Sequence, residues 1–187
     1  LKLQPVATGT VERNSTDVAH ALKDILSKNP EAIVQIGSYK GCATFVRMAR
    51  RAGYVGNFYN ISFVGTQALS EELGAVARGV IVSQVMPYPF TAATPIAGEY
   101  LGALQASGLL GTNPNYSGME GFVAAKVFAE AARRAGKVMT REGFLSAIQG
   151  MQALNIGGMT FDFGPQKNVG SRFVEMTMLT EDGRVRR

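Results

Sequence analysis

The sequence of 187 residues has no tryptophan, one cysteine and one histidine. A lone Cys42 excludes an internal disulfide and any zinc site built on paired cysteines. Cys42 falls in the first turns of a predicted helix, where the dipole would lower its pKa. The stripe it shares with Phe45 and Val46 favours core packing instead. His20 stands between Ala19 and Ala21 in a helical pattern, so it reads as a surface or partly buried helix position rather than a general base. No apolar run reaches the roughly 18 residues that cross a bilayer. Phosphate-binding and nucleophile motifs are missing too: there is no G-x-x-x-x-G-K-[ST], no G-x-G-x-x-G after a strand and no G-x-S-x-G. Asp17, Glu71, Glu72 and Asp162 are not paired at a spacing that implies metal or acid–base work. No catalytic residue, metal site or cofactor is therefore expected.

What is present is ordinary globular composition, with 46% hydrophobic residues and 18% charged. The 19 Lys and Arg outnumber the 14 Asp and Glu, a formal charge of +5, but the basic residues are scattered. Arg50-Arg51 and Arg133-Arg134 end predicted helices, where cations offset the dipole. Arg184, Arg186 and Arg187 close the chain. No basic stretch is interleaved with aromatics, so nucleic acid is not an expected partner. The opening "LKLQPVATGT" has neither an initiator Met nor the apolar core of a signal peptide. The expectation is that a targeting segment was removed or that the beginning of the protein is absent.

Along the chain, "KLQPVATGTV" reads as a short strand. "RNSTDVAHALKDILSKNP" is an amphipathic helix with Val18, Leu22, Ile25 and Leu26 on one stripe, N-capped by Asn14 or Ser15 and ended by Asn29-Pro30. "EAIVQIG" is a strand and "CATFVRMARRAG" a helix closed by Gly53. "NFYNISFVG" is a strand, "TQALSEELG" a short helix and "GVIVSQVMP" a third apolar strand. Residues 1–86 thus read β-α-β-α-β-α-β, and strands apolar on both faces predict a parallel sheet covered on two sides. Three prolines within "MPYPFTAATP", residues 86–95, mark a crossing or hinge segment. Helices follow at "PIAGEYLGALQAS", "YSGMEGFVAAKVFAEAARRAG" and "TREGFLSAIQG", the last N-capped by Thr140. "MTFDF" and "RFVEMTML" alternate around a polar turn, as a hairpin or two edge strands would. The middle helices carry apolar stripes, such as Phe122, Ala125, Val127 and Phe128, without a sheet of their own to cover.

In open parallel sheets, ligands sit beyond the carboxyl ends of the strands. The tips here are Gly37-Ser38-Tyr39, Ser62-Phe63 and Met86-Pro87-Tyr88. Gly37 admits close backbone approach, Ser38 precedes a helix whose free N–H groups favour an anion, and Tyr39 can stack on a ligand. A second reading stands beside this one: Ser38 is only an N-cap and Tyr39 an amphipathic surface residue.

The order of these elements resembles the second lobe of type I periplasmic binding proteins, closest to the leucine/isoleucine/valine-binding family of ABC-transporter solute receptors. The residues that carry the resemblance are "TDV…PEAIV", the "GSY" strand tip, "RMARRAG" at a helix end, "SFVG" at the next tip, "GVIVSQVMPYP" and "YSGMEGFVAAKVFAEAARRAG". It extends to "GGMTFDFGPQKNVGSRFVEMTML" and covers nearly the whole chain. It implies an α/β fold of two lobes with hinge crossings, of which this chain is the C-terminal half. Residues 1–86 would be the second ligand-binding lobe lacking its first strand and helix. Residues 87–172 would be a hinge crossing and return into the first lobe, and 173–187 the terminal strand and last crossing.

The resemblance further implies a non-enzymatic, exported periplasmic receptor that closes over a small solute and presents it to a membrane permease. Its site residues would be Gly37, Ser38, Tyr39, Ser62, Phe63, Tyr88 and Tyr116. For Tyr88 and Tyr116, hinge or core packing remains an alternative. Ser62 carries a hydroxyl where amino-acid-binding members have a carboxylate for the ligand's ammonium, a stronger charge-assisted contact. An amino acid, a small carboxylate or a neutral polar metabolite, aromatic ones included, all stay open as ligands. The competing expectations are a ligand-sensing domain of a related receptor or repressor, and an α/β enzyme whose catalytic residues lie elsewhere. Exposed helix faces also predict association with a second chain or with a missing half.

Overall fold

The three apolar runs that lead to Gly37, Ser62 and Met86 fold as adjacent parallel strands: β1 (Ala32–Gln35), β2 (Asn57–Ile61) and β3 (Val80–Gln84). The computed structural model describes residues 3–109 and 114–187. Register aligns Gln35 with Asn60 and Asn60 with Val82. The helices between the strands are α1 (Ala19–Leu26), α2 (Tyr39–Arg51) and α3 (Thr66–Leu73). The chain forms two compact units, Leu1–Gln84 with Glu175–Arg187, and Val85–Val174.

In the first unit, the face of the sheet bearing Ile33, Phe58, Val80 and Val82 is buried under the helices. Complete burial of a side chain such as Phe58 contributes about 2–3 kcal/mol. Gln35 Nε2 donates to the Cys42 carbonyl on α2, and Gln84 Nε2 donates to Thr66 Oγ1 on α3, so both helices cover that same face. Arg47 of α2 pairs with Glu72 of α3 at 2.8 Å. At the end of α2, Arg50 donates to the carbonyls of Tyr54 and Gly56 and stacks over Phe58, its guanidinium 4.9 Å from the ring centroid. That one side chain fixes the entry into β2.

The C-terminal residues return to this sheet. Strand β6 (Glu175–Leu179) pairs antiparallel with β3, Thr177 facing Val82, and β7 (Val185–Arg186) pairs with β6. The sheet order is β1-β2-β3-β6-β7.

The second unit holds α4 (Pro95–Ala106), α5 (Tyr116–Ala135) and α6 (Arg141–Gln149). Thr94, Asn115 and Thr140 cap them, each side chain accepting from the amide three residues on. Helices α5 and α6 meet through Phe128 and Phe144, ring centroids 5.0 Å apart. Strands β4 (Leu154–Ile156) and β5 (Met159–Phe161) form a hairpin. Its two loop residues, Gly157 and Gly158, both have positive φ, as a tight turn matching strand twist requires. No helix among the described residues is long and apolar enough to cross a membrane.

Three local expectations are corrected. Residues 3–11 form no strand, since a strand exists only where it has a neighbour to pair with. Helix α1 starts at Ala19 rather than after Asn14 or Ser15. The Ser15 hydroxyl instead accepts from the Asp17 amide, and Asn14 takes a positive φ in a turn. "MTFDF" and "RFVEMTML" do not pair with each other, because β5 pairs with β4 and β6 with β3. On the sheet face opposite the helices, Val34 and Ile36 are 68% and 76% exposed, and Met176 and Met178 are exposed too. The two-sided coverage expected from the apolar runs is thus found on one face among the described residues.

Candidate functional site

Parallel pairing puts the carboxyl ends of β1 and β2 side by side. Each strand ends in a short turn before the next helix, and residues of both turns enter the candidate site. Gly37 and Ser38 follow β1. A Cβ at Gly37 would come 3.3 Å from Cys42 Sγ, so the position accepts little more than glycine without a shift. Ser38 is the N-cap of α2, extended at φ −73° and ψ 154°, yet its hydroxyl makes no capping hydrogen bond. The first amides of α2 and the Ser38 hydroxyl are therefore free of the usual mutual arrangement, and both can face an anionic group.

Ser62 opens a 3-10 turn, Ser62–Val64, closed by Gly65 at positive φ. The Ser62 carbonyl accepts from the Gly65 amide. Phe63 projects at 74% exposure. Gly37, Ser38 and Phe63 line one cavity of about 480 Å³. Tyr39, the first residue of α2, and Ser62 are half-buried and do not line it. Tyr88 and Tyr116 belong to the second unit, where Phe90 links them at centroid distances of 5.0 Å and 6.0 Å.

Sequence reasoning missed the other wall of this cavity. Residues 9–15 line it together with Val18, just before α1, and Ala21 and Ile25 of α1. Gly9 is the signal that could have been found: a Cβ there would lie 2.9 Å from Ala21 Cβ, so only glycine lets the segment lie on α1. The interior is mostly apolar, through Ile33, Phe45 and Val18, with Gln35 as its buried amide. Gln35 Oε1 has no hydrogen-bond partner, and neither polar atom of the neighbouring Asn60 side chain has one. Buried polar atoms in that condition are costly and point to a group that satisfies them.

Cys42 also lines the cavity, but burial pushes its thiol up to about 11. The pKa-lowering effect of the helix end is overridden, and the thiolate is scarce at neutral pH. His20 is exposed and pairs with Asp24 one turn away. Among the described residues no three His, Cys, Asp or Glu side chains are grouped to hold a metal.

A mostly parallel sheet with its ligand-competent turns at the carboxyl ends defines a class, the open α/β binding fold. Residues 2–184 match the model of the periplasmic binding protein family, and the chain belongs to that family. It is similar to a substrate-binding periplasmic protein from Ralstonia solanacearum, with 32% identity and a TM-score of 0.82 over 92% of this chain and 50% of that one. A possible leucine/isoleucine/valine-binding protein from Rhodopirellula baltica is 28% identical with a TM-score of 0.86, over 93% and 47% of the two chains. A branched-chain amino acid ABC transporter protein from Thermus thermophilus with bound valine shares the fold at 21% identity and a TM-score of 0.75, over 95% and 50%. The chain spans about half the length of these solved structures. No curated protein matches it. The fold is that of type I periplasmic binding proteins, and the family implies an extracytoplasmic location.

Proposed function

We propose that this chain is part of a periplasmic solute-binding protein of an ABC uptake system, which captures a small amino acid or carboxylate-type metabolite by hinge closure and delivers it to a membrane permease. The observation that carries the reading is that Gly37, Ser38 and Phe63, which follow the carboxyl ends of β1 and β2, line one cavity, which also runs along β1 as far as Ile33. In that reading the amides at the start of α2 and the Ser38 hydroxyl hold the solute's carboxylate, and Phe63 packs on its apolar part. Ser62 and Tyr39 flank these contacts, and Tyr88 and Tyr116 are the aromatic candidates from the second unit. Binding, rather than bond making, agrees with the relatives, which are binding proteins.

A thermal-shift screen of the full-length protein against amino acids, aromatic acids and small carboxylates tests it. A ligand at about 100 times its Kd stabilises the native state by about 2.7 kcal/mol, a rise in Tm of several degrees. No shift with any of the three classes, or turnover of one of them, overturns the proposal.

A further inference from the structure

Gln35 is a buried amide on the wall of a mostly apolar cavity, and half of that amide is unused. It is 9% exposed and lines the cavity with Ile33, Phe45 and Val18. Its Nε2 donates to the Cys42 carbonyl at 3.4 Å. A carbonyl only accepts, so the nitrogen must face α2 and the oxygen must point the other way. That oxygen, Oε1, has no hydrogen-bond partner. Asn60 stands opposite in register, yet it makes no bond to Gln35 and does not line the cavity. A buried acceptor in this state is costly until a donor reaches it.

The surroundings define which donor fits. The charged residues of the lining are Glu12 and Arg13, and both are exposed. The buried part of the cavity therefore holds no charge, since Cys42 keeps its proton up to about 11. An ammonium group placed there would lose its hydration and meet only a neutral amide oxygen, which is strongly unfavourable. A hydroxyl or an amide N–H costs far less to bury and gains a hydrogen bond.

Chain geometry sets where that donor sits in the solute. The Cys42 carbonyl, which Gln35 touches, lies one turn into α2, about 6 Å along the axis from the first free amides. Along the chain, Gln35 and Ser38 are three positions apart, at most about 10 Å of extended backbone. An α-substituent lies within about 3 Å of its carboxylate, so it stays beside Ser38 and falls short of Gln35. A donor at the far end of the solute spans the gap, across an apolar body that meets Ile33 and Phe45.

We infer that the site takes a carboxylate with a neutral hydroxyl or amide donor at its far end, such as a hydroxyaryl or ω-hydroxy acid, and that Gln35 Oε1 selects it. The inference rests on the proposed solute-binding role and names the solute class for that same site. Gln35 is then a specificity-determining residue, and α-amino acids without a far donor are poor ligands.

Calorimetric titration of the full-length protein with two matched pairs tests it: para-hydroxyphenylacetate against phenylacetate, and ω-hydroxyhexanoate against hexanoate. The hydroxy member of at least one pair is expected to bind about tenfold more tightly. Gln35→Met, of similar length but without the oxygen, is expected to abolish that preference and to leave the deoxy acids nearly unchanged. Ser38→Ala is expected to weaken both members of a pair alike. Equal affinities within both pairs of the wild type overturn the inference, whether or not the methionine variant folds. A preference that survives Gln35→Met overturns it too. Binding of α-amino acids alone, with none of the four acids bound, overturns the inference and keeps the solute-binding role. No binding by either group overturns both.

Discussion

Thr177 and Gln84 are 93 residues apart in sequence and joined by a buried hydrogen bond of 2.9 Å. Thr177 Oγ1 also donates to the Val82 carbonyl, and Gln84 Nε2 also donates to Thr66 Oγ1. The late strand β6 is thereby pinned to β3 and to the start of α3. Thr177→Val keeps the shape but removes two bonds from a buried site. It is expected to cost about 1–3 kcal/mol, read as a lower urea midpoint, and Thr177→Ser is expected to restore most of the loss.

Ser38 and Thr140 both precede helices, and their substitutions separate binding from stability. Thr140 Oγ1 accepts from the Gly143 amide at 3.0 Å, whereas Ser38 makes no such capping bond. Thr140→Ala is expected to cost about 1 kcal/mol of stability and to leave solute affinity alone. Ser38→Ala is expected to leave the melting temperature of the unliganded protein nearly unchanged. Its affinity for a carboxylate solute should fall by about tenfold to a hundredfold, the range for a bond to a charged group. Calorimetric titration of both variants checks the pair, and unchanged affinity in Ser38→Ala removes this residue from the site.

The Cys42 thiol should resist disulfide exchange. Its pKa is raised by burial to about 11 from an ordinary 9.0, so the folded protein at pH 8 holds almost no thiolate there. Ellman's reagent is expected to react in urea and to fail under native conditions. The linkage has a definite sign: the unfolded chain loses this proton near pH 9.0 while the folded chain keeps it to about 11. Stability is therefore lost as pH rises through that window and is unaffected by this group below it.

Glu130 is expected to titrate far below other glutamates. Hydrogen bonds from Arg133 and then Arg134 hold its carboxyl down to about 2 from an ordinary 4.5. The folded form releases its proton more readily than the unfolded one, so the pair's contribution is present above 4.5 and disappears as pH falls towards 2. Carboxyl-carbon NMR titration should place the midpoint near 2. Because the group is on the surface, Glu130→Gln is expected to change stability little at neutral pH.

Local chemistry was the legible part of the sequence. Gly53 ends α2 and takes positive φ, and Thr140 caps α6. The positions of Gly37, Ser38 and Phe63 just past strand ends were legible too, because strand tips follow directly from where apolar runs stop. What was not legible depends on partners distant in the chain. Alternation in "RFVEMTML" shows that a strand exists, but not that its neighbour is β3. The segment "RNSTD" offers several side chains able to cap; the Ser15 hydroxyl accepts from the Asp17 amide ahead of the helix, and Asp17 Oδ1 from the Ala19 amide at its start. Residues 9–15 carry no apolar period, and Gly9 alone, where a Cβ would meet Ala21, hinted at their place on a cavity wall.

The sheet of the first unit draws on both ends of the chain, with residues 85–174 between them. On the ribosome, β3 must wait for some ninety further residues before Thr177 emerges to meet Val82. Until then β3 presents a bare hydrogen-bonding edge, open to mispairing with a neighbouring nascent chain. A premature stop shortly before β6 would leave a permanently unfinished sheet, suited to proteolysis.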